Sequence, residues 1–458
     1  MNERPRTKHE DGPRGYRAVF VALLVADIAF AFQQTAVIPA IPTIERDFGS
    51  TPEWSAWLLS GYLIVSSAAT PFVGRLGDRR GRRRMLLWAL GVFLVGSVGA
   101  ALSPDIAVLV FFRGLQGIGG AVFPLTFALV RDVLPADRLG TAIGALTGGF
   151  GIGTALGLGL GGLIAGFASW RLIFAVGGVA IFAGMTLVAL FVPPSSRRGE
   201  EGRLDVAGGV LFGGSLAALL LALTEGVSLG WTSGVVVGLF VLACALLAGW
   251  VVRELRTENP LIDLHVFGAP AVLRTNLATM TLGYALFGSY FLIPQLVESA
   301  HGAAGAGLFL VPGALGQLAA GPLSGAIGRR LRSKWTFAGG MLLAAAGTAL
   351  LAVWHEEPWQ IGPEMFLLGF GMGFGVSSGG NLVTRAVSVR DTGISNALNS
   401  VLRRVGGGIG GQVGAVLLAT FTTSGGPAQV AFAVAFAVSA VLCLLGAGLA
   451  ALIPEGRG

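Results

Sequence analysis

Apolar runs of about 20 residues or more recur along this chain, and they limit its possible folds more than any other feature. A helix of about 20 apolar residues crosses the roughly 30 Å of hydrocarbon in a bilayer. Charged residues make up 12% of the 458 residues, about half of the share that is usual in soluble domains. A soluble protein of this length would lack the polar surface needed to cover its core. The sequence therefore predicts an all-α integral membrane protein.

Fourteen membrane-spanning helices are predicted from these runs. Their ranges are 18–42, 54–74, 84–102, 106–130, 139–166, 170–193, 205–224, 233–252, 271–296, 304–328, 334–354, 360–383, 393–421 and 428–453. The chain contains 73 glycines, which allow the backbones of neighbouring membrane helices to approach closely.

The distribution of basic residues predicts the orientation of these spans. With the N-terminus inside, only Arg46 and Arg171 fall in outer loops, and Arg113, Arg403 and Arg404 fall within spans. All other lysines and arginines then lie on the inner side, as expected for cytoplasmic loops. Both termini are therefore expected in the cytoplasm. The heavy use of Gly, Ala and Arg favours a bacterial plasma membrane.

A repeated loop pattern indicates two related halves. Residues 74–76 and 81–83 read Gly-Arg-Leu and Gly-Arg-Arg, and residues 321–323 and 328–330 read Gly-Pro-Leu and Gly-Arg-Arg. The repeat predicts an N-terminal six-helix bundle over 1–196, an inserted helix pair over 197–270 and a C-terminal six-helix bundle over 271–458. Two parallel halves with a binding site between them are an established plan of transporters.

The loop after the second span contains the most specific motif. Residues 74–84 read Gly-Arg-Leu-Gly-Asp-Arg-Arg-Gly-Arg-Arg-Arg, which matches G-x-L-x-D-x-x-G-R-[KR]-[KR]. On this motif the chain resembles the major facilitator superfamily, and within it the fourteen-span drug:proton antiporters. The resemblance implies that the loop acts as a conformational latch on the cytoplasmic side. The residues that match the motif or adjoin it are Gly74, Gly77, Asp78, Arg79, Gly81 and Arg82.

A second motif lies in the fourth span. Residues 113–121 are similar to the pattern R-x-x-Q-G-x-G-x-A of the same family. An arginine within a membrane span is costly unless it is paired or faces water. Arg113 is therefore a functional candidate, with a buried structural ion pair as the alternative.

Four glycines of the fifth span recur at every fourth residue, at Gly149, Gly153, Gly157 and Gly161. This spacing places them on one helix face, and such a stripe favours close packing against a neighbouring helix. The antiporter motif G-P-x-x-G-G of this span has Leu158 in place of its proline.

Asp27 is the predicted proton carrier. It lies in the middle of the first span, where low dielectric disfavours the charged form of a carboxyl group. We expect Arg113 to stabilise that charged form by attraction, because both residues lie near the middle of the membrane. The alternative is a structural carboxylate that does not titrate.

Several polar side chains within spans are candidates for a substrate cavity. They are Gln34, Gln116, Tyr284, Tyr290, Gln295, Asn381 and Arg403. Arg403 and its neighbour Arg404 could contact a substrate or hold the halves together. Glu225 and Glu298 are expected to be solvated at outer span ends.

The predicted function is proton-coupled efflux of lipophilic or cationic small molecules. The partners would be the substrate, protons and membrane lipid, without nucleic acid, and we expect a monomer. The sequence shows neither a nucleophile–base arrangement, nor metal-ligand spacing, nor a nucleotide-binding loop, so no enzyme activity, cofactor or metal is expected. A carrier of one metabolite by symport or uniport is the alternative, and a non-transporting membrane sensor is a further one.

Overall fold

The computed structural model describes residues 13–134, 136–194, 205–257, 269–328, 332–355, 358–387, 392–423, 426–427 and 429–454. Nearly all of these residues are helical. The strands among the described residues form one short hairpin, in which β1 (Thr422–Thr423) pairs antiparallel with β2 (Gly426–Pro427). This hairpin connects the last two long helices.

The first half contains several spans that are built from more than one helix. Its helices are α1 (Pro13–Ala36), a 3-10 turn (Ile38–Ala40), α2 (Ile41–Phe48), α3 (Pro52–Ser55), α4 (Trp57–Arg80), α5 (Arg82–Ala101), α6 (Ile106–Gly117), a 3-10 turn (Ile118–Ala121), α7 (Val122–Val133), α8 (Ala136–Phe167) and α9 (Arg171–Phe191).

The rest of the chain forms longer, mostly uninterrupted helices. They are α10 (Val206–Leu229), α11 (Gly234–Arg256), α12 (Pro270–Gly328), α13 (Ser333–Val353), α14 (Pro358–Ala386), α15 (Thr392–Thr420) and α16 (Gln429–Ala451).

The structure confirms the predicted all-α membrane fold. Thirteen of the predicted spans correspond to described helices that are long and apolar enough to cross a membrane. The remaining span is α15, which has 29 residues and is therefore about 43 Å long at 1.5 Å per residue. It is more polar than the others because it contains two arginines, Arg403 and Arg404.

Two predicted spans form the single helical run α12, which reverses at Gly302. Gly302 has a φ of 61° and a ψ of −177°, a conformation that is essentially restricted to glycine. We call residues 270–298 the first limb of α12 and residues 301–328 its second limb. The connection between these spans is therefore much shorter than the sequence predicted.

Burial differs strongly between the spans. In their most apolar windows, 72% of the residues of the span Tyr16–Phe48 and 78% of those of the first limb of α12 are buried, against 17% for α11. The first span and the first limb of α12 are the corresponding helices of the predicted halves, and both lie at the centre. α11, the second helix of the predicted inserted pair, lies at the periphery. The predicted boundary between residues 196 and 197 falls outside the described residues.

Two seams join the halves, and glycines form the first of them, between α8 and the second limb of α12. A Cβ atom at Gly162 would lie 2.8 Å from the Cα atom of Gly307, and one at Gly166 would lie 2.9 Å from the Cβ atom of Ala304. These helices therefore pack backbone against backbone. A side chain at either glycine would force them apart.

The second seam lies between α4 and α15, and α10 covers it. The Trp57 indole nitrogen donates to the Thr224 hydroxyl group (2.9 Å), and the Gln412 amide nitrogen donates to the same oxygen (2.8 Å). Below these bonds, Phe212 and Trp250 of the inserted pair pack with apolar residues of α4 and α15. The inserted pair therefore contacts both halves at one seam.

Candidate functional site

Asp27 lies in α1 and is fully buried. Neither of its carboxylate oxygens has a hydrogen-bond partner among the described residues. Thr126 of α7 lies beside it, but the Thr126 hydroxyl group donates to the carbonyl oxygen of Phe123 (2.8 Å). A buried carboxylate without partners is costly in its charged form, so this position favours the neutral acid.

Arg113 is fully buried in α6, and neutral groups surround it. Its guanidinium group donates to the carbonyl oxygen of Leu58 (3.1 Å), the amide oxygen of Gln116 (2.8 Å) and the carbonyl oxygen of Gln34 (3.5 Å). It also lies 4.8 Å from the ring centroid of Tyr62, a cation–π distance. These contacts hold the side chain in one position.

The expected attraction between Asp27 and Arg113 is not seen as an ion pair. Arg113 instead reaches the backbone of Gln34, which follows Asp27 by two helical turns (34 − 27 = 7 residues, about 10 Å). Similar depth in the membrane therefore did not bring the two groups together.

The other predicted cavity residues of the first half are Gln116 and Gln34, and both are at least half-buried. Gln116 is fully buried behind Arg113, where it donates to the Ser97 hydroxyl group (2.8 Å). The Gln34 side chain is half-buried. Its neighbour Gln33, which the sequence analysis did not select, is fully buried with no hydrogen-bond partner for either amide atom among the described residues.

The predicted cavity residues of the second half lie at different depths. Tyr290 is buried and accepts a hydrogen bond from Gln317 (3.2 Å). Tyr284 is nearly as buried, whereas Asn381 is exposed near the end of α14. Gln295 donates to a carboxylate oxygen of Glu45 in α2 (2.8 Å). Gln295 therefore bridges the halves.

A second bridge lies beside Gln295. Glu298 accepts hydrogen bonds from Thr43 (2.7 Å) and from the guanidinium group of Arg46. Its side chain is 6% exposed and that of Arg46 is 70% exposed. The prediction that Glu298 is solvated is therefore wrong, because a cation and a hydroxyl group of the other half cover it. We call this region, where α2 meets the first limb of α12, the closed end.

Arg404 of α15 forms hydrogen bonds between the halves, away from the closed end. Its guanidinium group donates to the Thr70 hydroxyl group of α4 (2.7 Å) and to the carbonyl oxygen of Gly120 (3.3 Å). Gly120 lies in the 3-10 turn between α6 and α7, where the helix geometry changes. Of the two predicted roles for Arg403 and Arg404, holding the halves together describes Arg404 in this conformation.

Arg403 has a different environment. Its side chain is half-buried, and it forms no hydrogen bond or ion pair with a described residue. Its backbone packs against Gly283 of the first limb of α12. We call the facing surfaces around Thr70, Gly120 and Arg404, next to Arg403 on α15, the central interface.

The motif loop at the other end connects α4, α5 and α7. Gly81 turns the chain with a φ of 98°, and one guanidinium nitrogen of Arg82 donates to both carboxylate oxygens of Asp132 (2.8 and 2.9 Å). Gly77 faces α7, because a Cβ atom there would lie 2.9 Å from the Leu125 side chain. Asp132 was not among the residues predicted from the sequence, although it stands beside a basic residue, Arg131, at a span end.

Gly74 and Arg79 add little to this arrangement. A Cβ atom at Gly74 would meet open space, and the Arg79 side chain is half-buried. The Asp78 side chain lies outside the described residues.

The glycine stripe of α8 faces α1. A Cβ atom at Gly153 would lie 2.5 Å from the carbonyl oxygen of Ile28, and Gly149, Gly157 and Gly161 contact α1 in the same manner. The opposite face of α8 forms the first seam. α8 is therefore packed closely on two sides.

Comparison with known proteins agrees with this architecture. The sequence profile of the Major Facilitator Superfamily matches residues 23–411 and 276–457. A solved bacterial homolog of the human lysosomal transporter Spinster has a TM-score of 0.70 at 14% identity, with 96% of this chain and 97% of that chain covered. At this identity, the likeness concerns the fold alone.

Two relatives from Mycobacterium tuberculosis H37Rv match most of the chain. One is an uncharacterized MFS-type transporter, 31% identical over 395 residues, which are 85% of this chain and 57% of the relative. The other is a multidrug resistance protein B homolog, 29% identical over 408 residues, which are 86% of this chain and 75% of the relative. This chain thus spans little more than half of the first relative. The chain belongs to the Major Facilitator Superfamily, whose members are membrane carriers rather than enzymes.

Proposed function

We propose that this protein exports lipophilic small molecules in exchange for protons. The observation that supports this most directly is Asp27, a fully buried carboxyl group without a hydrogen-bond partner in the described part of the chain. Proton carriers of transporters are typically such intramembrane carboxyl groups. A relative named as a multidrug resistance protein homolog also supports export.

Asp27 is suited to alternate between two protonation states. In this conformation burial favours the neutral acid. A rearrangement of the halves that admits water or a cation to α1 would favour the carboxylate. The proton would then be taken up and released as the conformation changes, with Asp27 as its carrier. Arg113 of α6 would supply a positive charge beside Gln34, about two turns from Asp27 on α1.

We further propose that the closed end faces the outside. Arg46 and Arg171 lie at this end, whereas Arg79, Arg80 and Arg84 lie at the opposite one. Lysine and arginine are enriched on the cytoplasmic side of membrane proteins. The motif loop would then lie in the cytoplasm, where the ion pair of Arg82 with Asp132 is suited to the latch role.

Asp27→Asn tests the proposal in proteoliposomes with an imposed pH gradient. We expect the variant to lose transport of a lipophilic fluorescent dye that the gradient drives, and to retain exchange of dye for dye without a gradient. The amide has the shape of the carboxyl group but cannot carry the proton.

Asp105→Asn is the matched control. Asp105 is an exposed cap whose side chain accepts from the backbone nitrogen of Val108 (2.9 Å), and asparagine caps helices about as well. Gradient-driven transport by Asp27→Asn at the rate of this control would refute proton carriage by Asp27.

The predicted alternative, a carrier of one metabolite, has its own supporting observation. The segment before Thr35 has Gln33 and Gln34 where the antiporters have an acid, and Leu158 replaces the proline of the α8 motif. A single substrate class transported without response to the pH gradient would favour this function.

A further inference from the structure

The membrane-embedded part of the protein contains positive charges near the central interface that are not paired with a described acid. Arg113, Arg403 and Arg404 all lie within helices of the membrane region. Among the described residues, no carboxylate accepts a hydrogen bond from any of them. The carboxylate oxygens of the buried Asp27 likewise have no hydrogen-bond partner in the described part of the chain. Cations in such surroundings normally pair with acids.

The hydrogen-bond partners of Arg404 are neutral, and an anion would bind its guanidinium group more strongly than they do. Its hydrogen bonds run to the Thr70 hydroxyl group and to the Gly120 carbonyl oxygen. The side chain is only half-buried. A guanidinium group has five donor hydrogens. Arg404 therefore retains donor capacity beyond its two bonds.

Arg403 lies next to Arg404 in α15, and no acid of the described residues pairs with its positive charge. It forms no hydrogen bond or ion pair with a described residue, and the next residue of α15, Arg404, carries a like charge. Two half-buried cations that repel each other are unfavourable. A negatively charged ligand group would remove that repulsion and occupy the free donors, because a guanidinium group binds a carboxylate in a bidentate geometry.

We propose that Arg403 and Arg404 bind the negatively charged group of the substrate, so that the exported molecules are lipophilic organic anions with a carboxylate or a similar oxyanion. This inference rests on the proposed export function and replaces the cation preference that the sequence suggested. Asp27 then carries the proton, and the two arginines bind the substrate. A lipophilic cation would instead meet two positive charges at this interface.

The charge of the substrate also sets the response to voltage. Exchange of one monovalent anion leaving for one proton entering moves two charges across the membrane in the same electrical sense. Exchange of one monovalent cation for one proton moves no net charge. An exporter of anions should therefore respond strongly to the membrane potential, and an exporter of cations by the same stoichiometry should not.

The test compares fluorescent probes that share one aromatic skeleton. We would use 9-anthracenecarboxylate and 9-anthracenylmethyl-trimethylammonium, together with a naphthalene pair of the same two head groups, on purified full-length protein in nanodiscs. Wild type should bind the carboxylates about tenfold or more tightly than the ammonium probes, since hydrogen bonds to charged groups are of that strength. Arg403→Gln should remove this preference, and Arg403→Lys should retain part of it.

Arg171→Gln is the control for the loss of one positive charge, since Arg171 lies outside the central interface beside Asp47. A preference for the ammonium probes, or an unchanged carboxylate preference in Arg403→Gln, would overturn the inference. In proteoliposomes, transport of ammonium probes without response to voltage would overturn it while leaving proton-coupled export intact. Failure to transport either probe class, together with a pH gradient that drives no dye, would contradict the export function itself.

Discussion

Glu298→Gln should open the closed end more often. The substitution keeps an oxygen that can accept from Thr43, but it removes the negative charge that faces Arg46. The parallel bridge between Gln295 and Glu45 keeps its hydrogen bond, although Glu45 also loses the repulsion of the nearby Glu298 charge. The attraction that the substitution removes is the one ion pair between Glu298 and Arg46.

The exposure of Arg46 and Glu298 determines how much free energy their ion pair contributes to the closed end. The Arg46 side chain is 70% exposed, and ion pairs with such exposure contribute about 0.2–1 kcal/mol because water screens them. Glu298 is largely buried, which places this pair in the upper part of that range. A loss of about 0.5–1 kcal/mol multiplies the ratio of open to closed protein by roughly two to five.

Labelling of a buried cysteine measures that ratio. Ser55 is fully buried at the closed end, and Ser55→Cys hardly changes its size. The exposed Cys244 would be replaced by serine, while the buried Cys443 can stay. If opening and closing are fast, the labelling rate is proportional to the open fraction, so Glu298→Gln should increase it about two- to fivefold.

Glu225→Gln is the matched control for this experiment. Glu225 is another glutamate near a span end, but its carboxylate accepts from Ser228 of its own helix (3.1 Å). We expect no change in the labelling rate. An unchanged or slower rate in Glu298→Gln would refute the argument that this ion pair stabilises the closed end.

Two further substitutions test the two seams separately. Gly162→Val should prevent the close approach of α8 to the second limb of α12, because even a Cβ atom would lie 2.8 Å from Gly307; we expect the same Ser55→Cys labelling to increase and dye transport to be lost. Thr224→Val should remove the hydroxyl group shared by Trp57 and Gln412 and lower the midpoint of thermal unfolding, since two hydrogen bonds contribute about 1–3 kcal/mol; unchanged unfolding would show that α10 is not coupled to the second seam.

The sequence predicted the spans well because membrane insertion depends on local hydropathy. Each span reads as its own apolar run, and the requirement for about 20 residues is independent of what packs beside it. The 59-residue helical run of α12 shows the limit. The apolar pattern separates its two limbs, but only the backbone geometry of Gly302 shows that they join without a loop.

Contacts between helices were harder to predict, because the depth of a residue in the membrane does not define which neighbouring helix its side chain contacts. Asp27 and Arg113 have similar depths, yet the Arg113 side chain reaches Gln34 and Leu58 instead. The misassigned Glu298 has the same cause, since its cation is 252 residues away in the chain. The glycine stripe of α8 was visible because its fourfold spacing repeats, whereas the glycines on the opposite face are irregularly spaced.

The two seams differ in what would have to change for the halves to move. At the first seam, Gly162 and Gly307 bring backbones together without a hydrogen bond to break, so a rotation there costs mainly packing. At the second seam, Arg404 donates to Thr70 of α4 and Gln412 accepts from Ser60 of α4 (3.4 Å), and α10 adds Thr224 to the same network. Polar bonds are directional and resist displacement more than apolar contacts do. An anion that draws Arg404 away from α4 would therefore loosen the more resistant seam, which couples substrate binding to movement of the halves.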